Sequence, residues 1–272
     1  MKVIKEQIEG WIRFCERSFT KDTTKQYKSI AKMLSDHIAA NGRAFTQEAV
    51  ENFLCNKLEK GGSRRLWNCY LICIRNFAKW REQKFDVPSS IHKIQFLKQD
   101  PPKQRVLSEE EYQLCLQHTH GMDKDILLFL GNTGLRREEF RNLKWSDIDS
   151  QLRFIRVSGK GRKQRIVPLN ETCREILKKY PHLSTNEYLQ ISRRYPGGEG
   201  SSWLCRRLSK HLGIPQFGVH AIRHYFATEM IKRGVNIYKL SKILGHNSVV
   251  TTQNIYVHLL PFDLLGETDI LD

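Results

Sequence analysis

Two consecutive prolines, Pro101-Pro102, sit inside a polar and basic stretch, residues 92–106 (HKIQFLKQDPPKQRV). A proline has no backbone N–H to give a helix, and it pushes the residue before it into extended conformation. No helix continues through this point, and consecutive prolines favour an extended spacer, so the domain boundary is placed here. The expected organisation is a helical domain over 1–98, a linker over 99–106, a second domain over 107–256 and a tail over 257–272. A chain of 272 residues is long enough to bury a core in each body.

Before the prolines the apolar residues recur at helical spacing. Tyr27, Ile30, Ala31, Leu34 and Ile38 define one helix between Thr23 and Ala40, closed by Gly42. Thr46, followed by Gln47 and Glu48, starts another through Phe53, Leu54 and Leu58, ended by Gly61-Gly62. Ser63 then caps a helix carrying Leu66, Cys69, Tyr70, Cys73, Phe77 and Trp80, with Cys69 and Cys73 one turn apart on its inner face. Arg64 and Arg65 fall in its first turn, where the helix dipole already presents partial positive charge. A phosphate placed opposite would offset that repulsion, and so would plain solvation.

The net charge of +16 favours a polyanionic partner, nucleic acid first among them. It is not a tail effect. The first hundred residues carry 19 Lys and Arg against 11 Asp and Glu, the remainder 26 against 18, so both bodies are basic. Seven scattered cysteines with no C-x-x-C pair give neither a disulfide framework nor a zinc ribbon, and point to a reducing cytoplasm. No apolar run approaches the length of a membrane span, and the polar start is no signal peptide.

After the linker, Ser108 and Glu111 make a capping box, and the second domain reads as helices around one small β-element. Leu152 to Val157 alternates as a strand, 158–163 is a basic turn, and Gln164 to Leu169 is the return strand. Helical patterns follow over 171–180, 201–212, 220–233 and 236–244. The fold class expected is mainly α, a helical bundle followed by a mostly helical mixed domain with a small β-sheet.

Four segments of this domain hold polar groups that a core would not require. In TGLRREEF a glycine turn feeds a helix with Arg136 at its start and Glu139 three residues on, placed to hold the guanidinium as a fork for phosphate; such pairs are also common surface decoration. In SGKGRKQR, Lys160, Arg162, Lys163 and Arg165 crowd a hairpin turn that could reach a nucleic-acid groove or stay solvated. In VHAIRH, His220, Arg223 and His224 share a helix face, suited to an anion or, less completely, to zinc. In LGHN and TTQNIY, Gly245 ends a helix, His246 sits on the bend, and Tyr256 follows ten residues later. Together, two arginines, a lysine, histidines and a tyrosine without a metal set describe a site for one phosphodiester. Cations neutralise its oxygens, a tyrosine hydroxyl can attack phosphorus, and a lysine can protonate the departing oxygen.

The segments TGLRREEF, GKGRKQRIVPL, HAIRHYFATEM and LGHNSVVTTQNIY, in this order over roughly 107–258, resemble the tyrosine recombinase (phage integrase) family. The first hundred residues match the family's core-binding domain only in length, helicity and charge. The resemblance assigns Arg136 and Arg223 to the phosphate-binding arginines, Lys160 to the hairpin lysine, His220 and His246 to the active-site histidines, and Tyr256 to the nucleophile. Glu139 and His224 fall on supporting positions; Arg64, Arg65, Arg162, Lys163 and Arg165 are expected on DNA. Arg137 and Glu138 depart from the commoner apolar-then-small pair. The interval from His246 to Tyr256 is one residue longer than in Xer-type members, and both features leave the subfamily open.

What the resemblance implies is a C-shaped clamp on duplex DNA at an inverted-repeat core site. A 3′-phosphotyrosyl intermediate forms without metal, ATP or other cofactor, and four protomers exchange strands through a Holliday junction, the chain being a monomer or dimer in solution. Accessory DNA-bending or directionality proteins belong to the same expectation. The tail, VHLLPFDLLGETDILD, has four acids and no Lys or Arg, a composition suited to docking on a neighbouring protomer or packing in cis. With no arm-type module ahead of the first helices, the expectation tilts to a two-domain resolvase, with a mobile-element integrase close behind. Type IB topoisomerase-like nicking and a non-catalytic DNA-binding accessory factor are the competing readings.

Overall fold

The computed structural model describes residues 2–42, 44–99, 105–158, 164–181, 184, 187–195, 200–246 and 248–256. The chain divides into two compact units, Met1–Pro102 and Lys103–Asp272, and the division falls inside the 99–106 stretch.

The first unit is built on helices α1 (Lys2–Ser18), α2 (Lys21–Ala40), α3 (Gln47–Glu59) and α4 (Arg64–Phe85). Thr20, Thr46 and Ser63 cap the last three, each side chain accepting a backbone N–H of the first turn. The sequence reading passed over α1, although Ile8, Trp11, Ile12 and Cys15 are spaced to bury one helical face and all do so. They meet Leu34, Phe53, Leu71 and Ile74 in one core. Cys73 is buried there while Cys69 is only half-buried. The segment leaving α4 is strapped back along it. Asn68 exchanges two hydrogen bonds of 2.9 Å with the backbone of Leu97, and Arg75 donates to the carbonyls of His92 and Ile94. Arg64 and Arg65 are exposed in the first turn of α4, which holds no acidic residue.

The second unit runs α5 (Glu109–Gln117), α6 (Gly121–Thr133), α7 (Arg137–Arg141), β1 (Phe154–Ser158), β2 (Gln164–Pro168), α8 (Glu171–Lys179), α9 (Gln190–Arg193), α10 (Ser201–Leu212), α11 (Val219–Lys232), α12 (Ile237–Leu244) and α13 (Val249–Tyr256). The apolar α6 lies at its centre, packed on α5, α8, α9 and α11. The expected capping box is present, with Ser108 and Glu111 each accepting the other's backbone N–H.

β1 and β2 pair antiparallel, Phe154 opposite Pro168 and Val157 opposite Arg165. The first strand starts two residues later than its alternation suggested. Leu152 takes a left-handed φ of 54° and closes a turn by donating its N–H to the Asp149 carbonyl at 2.8 Å, so it cannot join the ladder. Ile155, Val157 and Val167 face the core, while Ile166 is 58% exposed. Alternation therefore places Arg165 on the inner side with Val167.

Among the described residues no helix is long and apolar enough to cross a membrane, and the seven cysteines are free thiols.

Candidate active site

The site is organised by the carboxyl end of α12. A helix leaves its last carbonyls without intrahelical partners, and its dipole makes that end partly negative. Here three successive carbonyls each receive an arginine from a different part of the unit. Arg165 donates its Nε–H to Ile243 at 2.7 Å, Arg223 donates to Leu244 at 2.6 Å, and Arg136 donates to Gly245 at 3.1 Å. Gly245 ends the helix at φ +66°, and a Cβ built on it would stand 2.6 Å from Arg165 Cδ. Only glycine serves here, for the left-handed turn and for the close pass of the arginine stem.

Arg136 stands at the N-cap of α7. Glu139 accepts both its backbone N–H and its guanidinium, each at 2.8 Å, which turns the side chain back over the helix start. One-third of the Arg136 side chain remains exposed, on an open groove of about 620 Å³ also lined by Lys144 and Arg156. The Arg136–Glu139 pair is far from surface decoration, because Glu139 is only 8% exposed and also takes two hydrogen bonds of 2.7 Å from Arg165. Burial alone would raise the Glu139 carboxyl. The two guanidiniums outweigh it and hold the group down to about 2.

Arg165 is thus a correction to its expected place on DNA. Its side chain is 9% exposed, and its guanidinium is taken up by Glu139 and Ile243. The strand register turned it inward. Lys160, Arg162 and Lys163 lie outside the described residues.

Arg223 is 5% exposed on α11. A guanidinium this deep must be met by oxygen. Besides Leu244 it donates to the carbonyl of Gly134 at 2.7 Å, and it stands 3.3 Å from His246 Nε2. His220, three residues before it, sits at the exposed rim. Partial burial and then the positive charge of Arg223 and Arg136 hold its imidazole below the ordinary value. The same causes act more strongly on His224 and His246: desolvation first, then Arg223, bring each down to about 4. Both rings are therefore neutral at pH 7, with one N–H and one lone pair each.

His246 reaches Thr252 of α13 through Nδ1, 2.7 Å from Oγ1. Sequence reasoning missed Thr252, which is fully buried. The available signal was a polar residue four positions before Tyr256, hence one turn away on the same helix. Tyr256 closes α13, and its side chain is not among those described. No group of three or more His, Cys, Asp or Glu side chains suited to a metal ion occurs among the described residues, so His220 and His224 do not form part of one there.

An acidic residue holding one arginine, a second arginine buried beside a histidine, and a following helix that ends in tyrosine make an arrangement chemically suited to an anion such as a phosphodiester. Residues 105–261 match the phage integrase family. Tyrosine recombinase XerA of Saccharolobus solfataricus is 30% identical, covering 90% of this chain and 85% of its own length. Tyrosine recombinase XerD of Halalkalibacterium halodurans is 25% identical over 95% of each chain. In fold, the chain is similar to the Tn1549 transposon integrase in complex with transposon right end DNA, with a TM-score of 0.76, 20% identity, and coverage of 98% and 99%. It is also similar to the XerH recombinase bound to difH substrate, with a TM-score of 0.67, 19% identity, and coverage of 92% and 80%. The chain belongs to the phage integrase family. It is a site-specific DNA recombinase of the tyrosine type.

Proposed function

We propose that this recombinase cuts duplex DNA at an inverted-repeat core site with Tyr256 as nucleophile. Arg136 and Arg223 neutralise the two nonbridging oxygens of the scissile phosphate, His220 hydrogen-bonds to it and passes protons, and His246 stands against Arg223. The Tyr256 hydroxyl gives its proton to the His220 imidazole as its oxygen bonds to phosphorus. The bond from phosphorus to the 5′ oxygen breaks, and Lys160 protonates that oxygen. A 3′-phosphotyrosyl ester and a free 5′-hydroxyl result. The ester keeps the bond energy, so a partner strand's 5′-hydroxyl can reverse the step using protein groups alone.

The observation that carries this reading is the convergence of Arg136, Arg223 and His246 on the end of α12, with α13 and Tyr256 directly after it. Arg64 and Arg65 of the helical domain, and Arg162 and Lys163 of the basic turn, grip the flanking backbone. Four protomers assemble on DNA and exchange strands through a Holliday junction, with the tail over 257–272 docking on a neighbouring protomer. Accessory DNA-bending or directionality proteins bias the outcome, and the setting is the cytoplasm.

The test is covalent trapping in EDTA, using nicked duplexes built from inverted repeats that flank the gene. Wild type gives a protein-linked DNA band on a denaturing gel and Tyr256→Phe gives none while binding the same DNA. No band from wild type, despite sequence-specific binding, overturns the proposal.

A further inference from the structure

Thr252 links His246, on the bend after α12, to the helix ending at Tyr256. Its surroundings fix what the hydroxyl does. On the far side of the imidazole, Nε2 lies 3.3 Å from an amino group of Arg223. A guanidinium has donors and no acceptor, so Nε2 must accept there. The neutral ring then carries its proton on Nδ1 and donates it to Thr252 Oγ1. Burial and the neighbouring arginines keep the ring neutral.

The same hydroxyl belongs to α13, which packs on α12. Positions 252 and 256 are four residues apart, one turn along one face of that helix. A rotation of α13 that moved position 256 would therefore pull Oγ1 away from the imidazole, and leave a buried N–H with no acceptor.

We propose that Thr252 is a positioning residue: its hydroxyl holds the His246 ring against Arg223 and fixes the rotation of α13, and with it the place of Tyr256. The inference rests on the tyrosine reading above and adds to it the element that registers nucleophile against phosphate site. Valine keeps the shape of threonine and removes the acceptor, whereas serine keeps the acceptor.

The experiment compares full-length wild type, Thr252→Val, Thr252→Ser and Tyr256→Phe on the nicked inverted-repeat duplex. DNA affinity is read by gel shift, and the first-order rate of covalent product at saturating protein. Thr252→Val should bind within about twofold of wild type and cleave at least about tenfold more slowly, with Thr252→Ser recovering to within about threefold. A valine variant that cleaves like wild type, or a serine variant as slow as valine, overturns the proposal. Should the valine variant fail to fold, Thr252→Ala against Thr252→Ser is judged by the same criteria. Nitrogen-15 spectra of labelled histidine supply a readout independent of cleavage. His246 should be protonated at Nδ1 in wild type and serine and lose that single tautomer in valine; an unchanged tautomer in valine overturns the proposal. Absence of covalent product from wild type, with the tautomer result as expected, would instead remove the tyrosine reading.

Discussion

Glu139 and Arg165 face each other through two parallel hydrogen bonds of 2.7 Å, with both side chains less than one-tenth exposed. This fork ties the strand that follows the basic hairpin to the residue that turns Arg136, and the Nε–H of the same arginine ties both to the end of α12. Removing Arg165 leaves the buried Glu139 carboxylate with Arg136 as its one cationic partner and two charge-assisted hydrogen bonds lost, so Arg165→Ala should cost about 2 kcal/mol or more. Urea unfolding measures it. A cost under about 1 kcal/mol would place the pair with ordinary surface ion pairs.

Gly245→Ala tests the crossing from the other side. The backbone there is left-handed, which costs an L-residue about 1–2 kcal/mol, and the new Cβ meets the Arg165 stem at 2.6 Å. Stability and cleavage should both fall. Alanine at Gly42, which also has positive φ but nothing within 4 Å of an added Cβ, should lower stability alone.

The titrating groups set a pH dependence of stability with a definite sign. His224 and His246 titrate near 4 in the folded chain against 6.5 ordinarily, so the unfolded chain binds more protons between these values. Their contribution is complete above pH 6.5 and is lost as pH falls towards 4. Glu139, lowered from 4.5 to about 2, extends the loss below pH 4.5. Denaturation midpoints between pH 7 and 4.5 should fall in wild type and fall less steeply in His246→Asn. Equal slopes would show that His246 titrates normally.

Lys160→Ala should slow cleavage far more than it weakens binding. DNA with a 5′-bridging phosphorothiolate, whose leaving group needs no proton, should restore much of the rate. Failure of that rescue would remove Lys160 as the general acid.

Arg64→Ala combined with Arg65→Ala should flatten the dependence of DNA affinity on salt, reducing the log–log slope by about 1–2. Titrations at several salt concentrations measure the slope. An unchanged slope would mean that these exposed first-turn arginines contact solvent and no phosphate.

The sequence by itself determined whatever is local. Caps at Thr46, Ser63 and Ser108, the helical stripes and the small two-stranded element all follow from interactions within a few residues, and the structure carries them. The Arg136–Glu139 pair was legible for the same reason, being three residues apart on one helix start. Even α1 was there to be read in the spacing of Ile8, Trp11, Ile12 and Cys15. What only the tertiary structure decided is which groups meet. Gly245 lies 109 positions from Arg136, Leu244 lies 21 from Arg223, and Ile243 lies 78 from Arg165. No local pattern announces that three guanidiniums will share one helix end. Arg165 shows the difference most directly. Its neighbours in sequence are hairpin cations, yet a strand's period of two sets it beside Val167, and pairing with Val157 turns it away from solvent to Glu139. Its direction was settled by register, and its partner by the packing of α7 and α12 around the sheet.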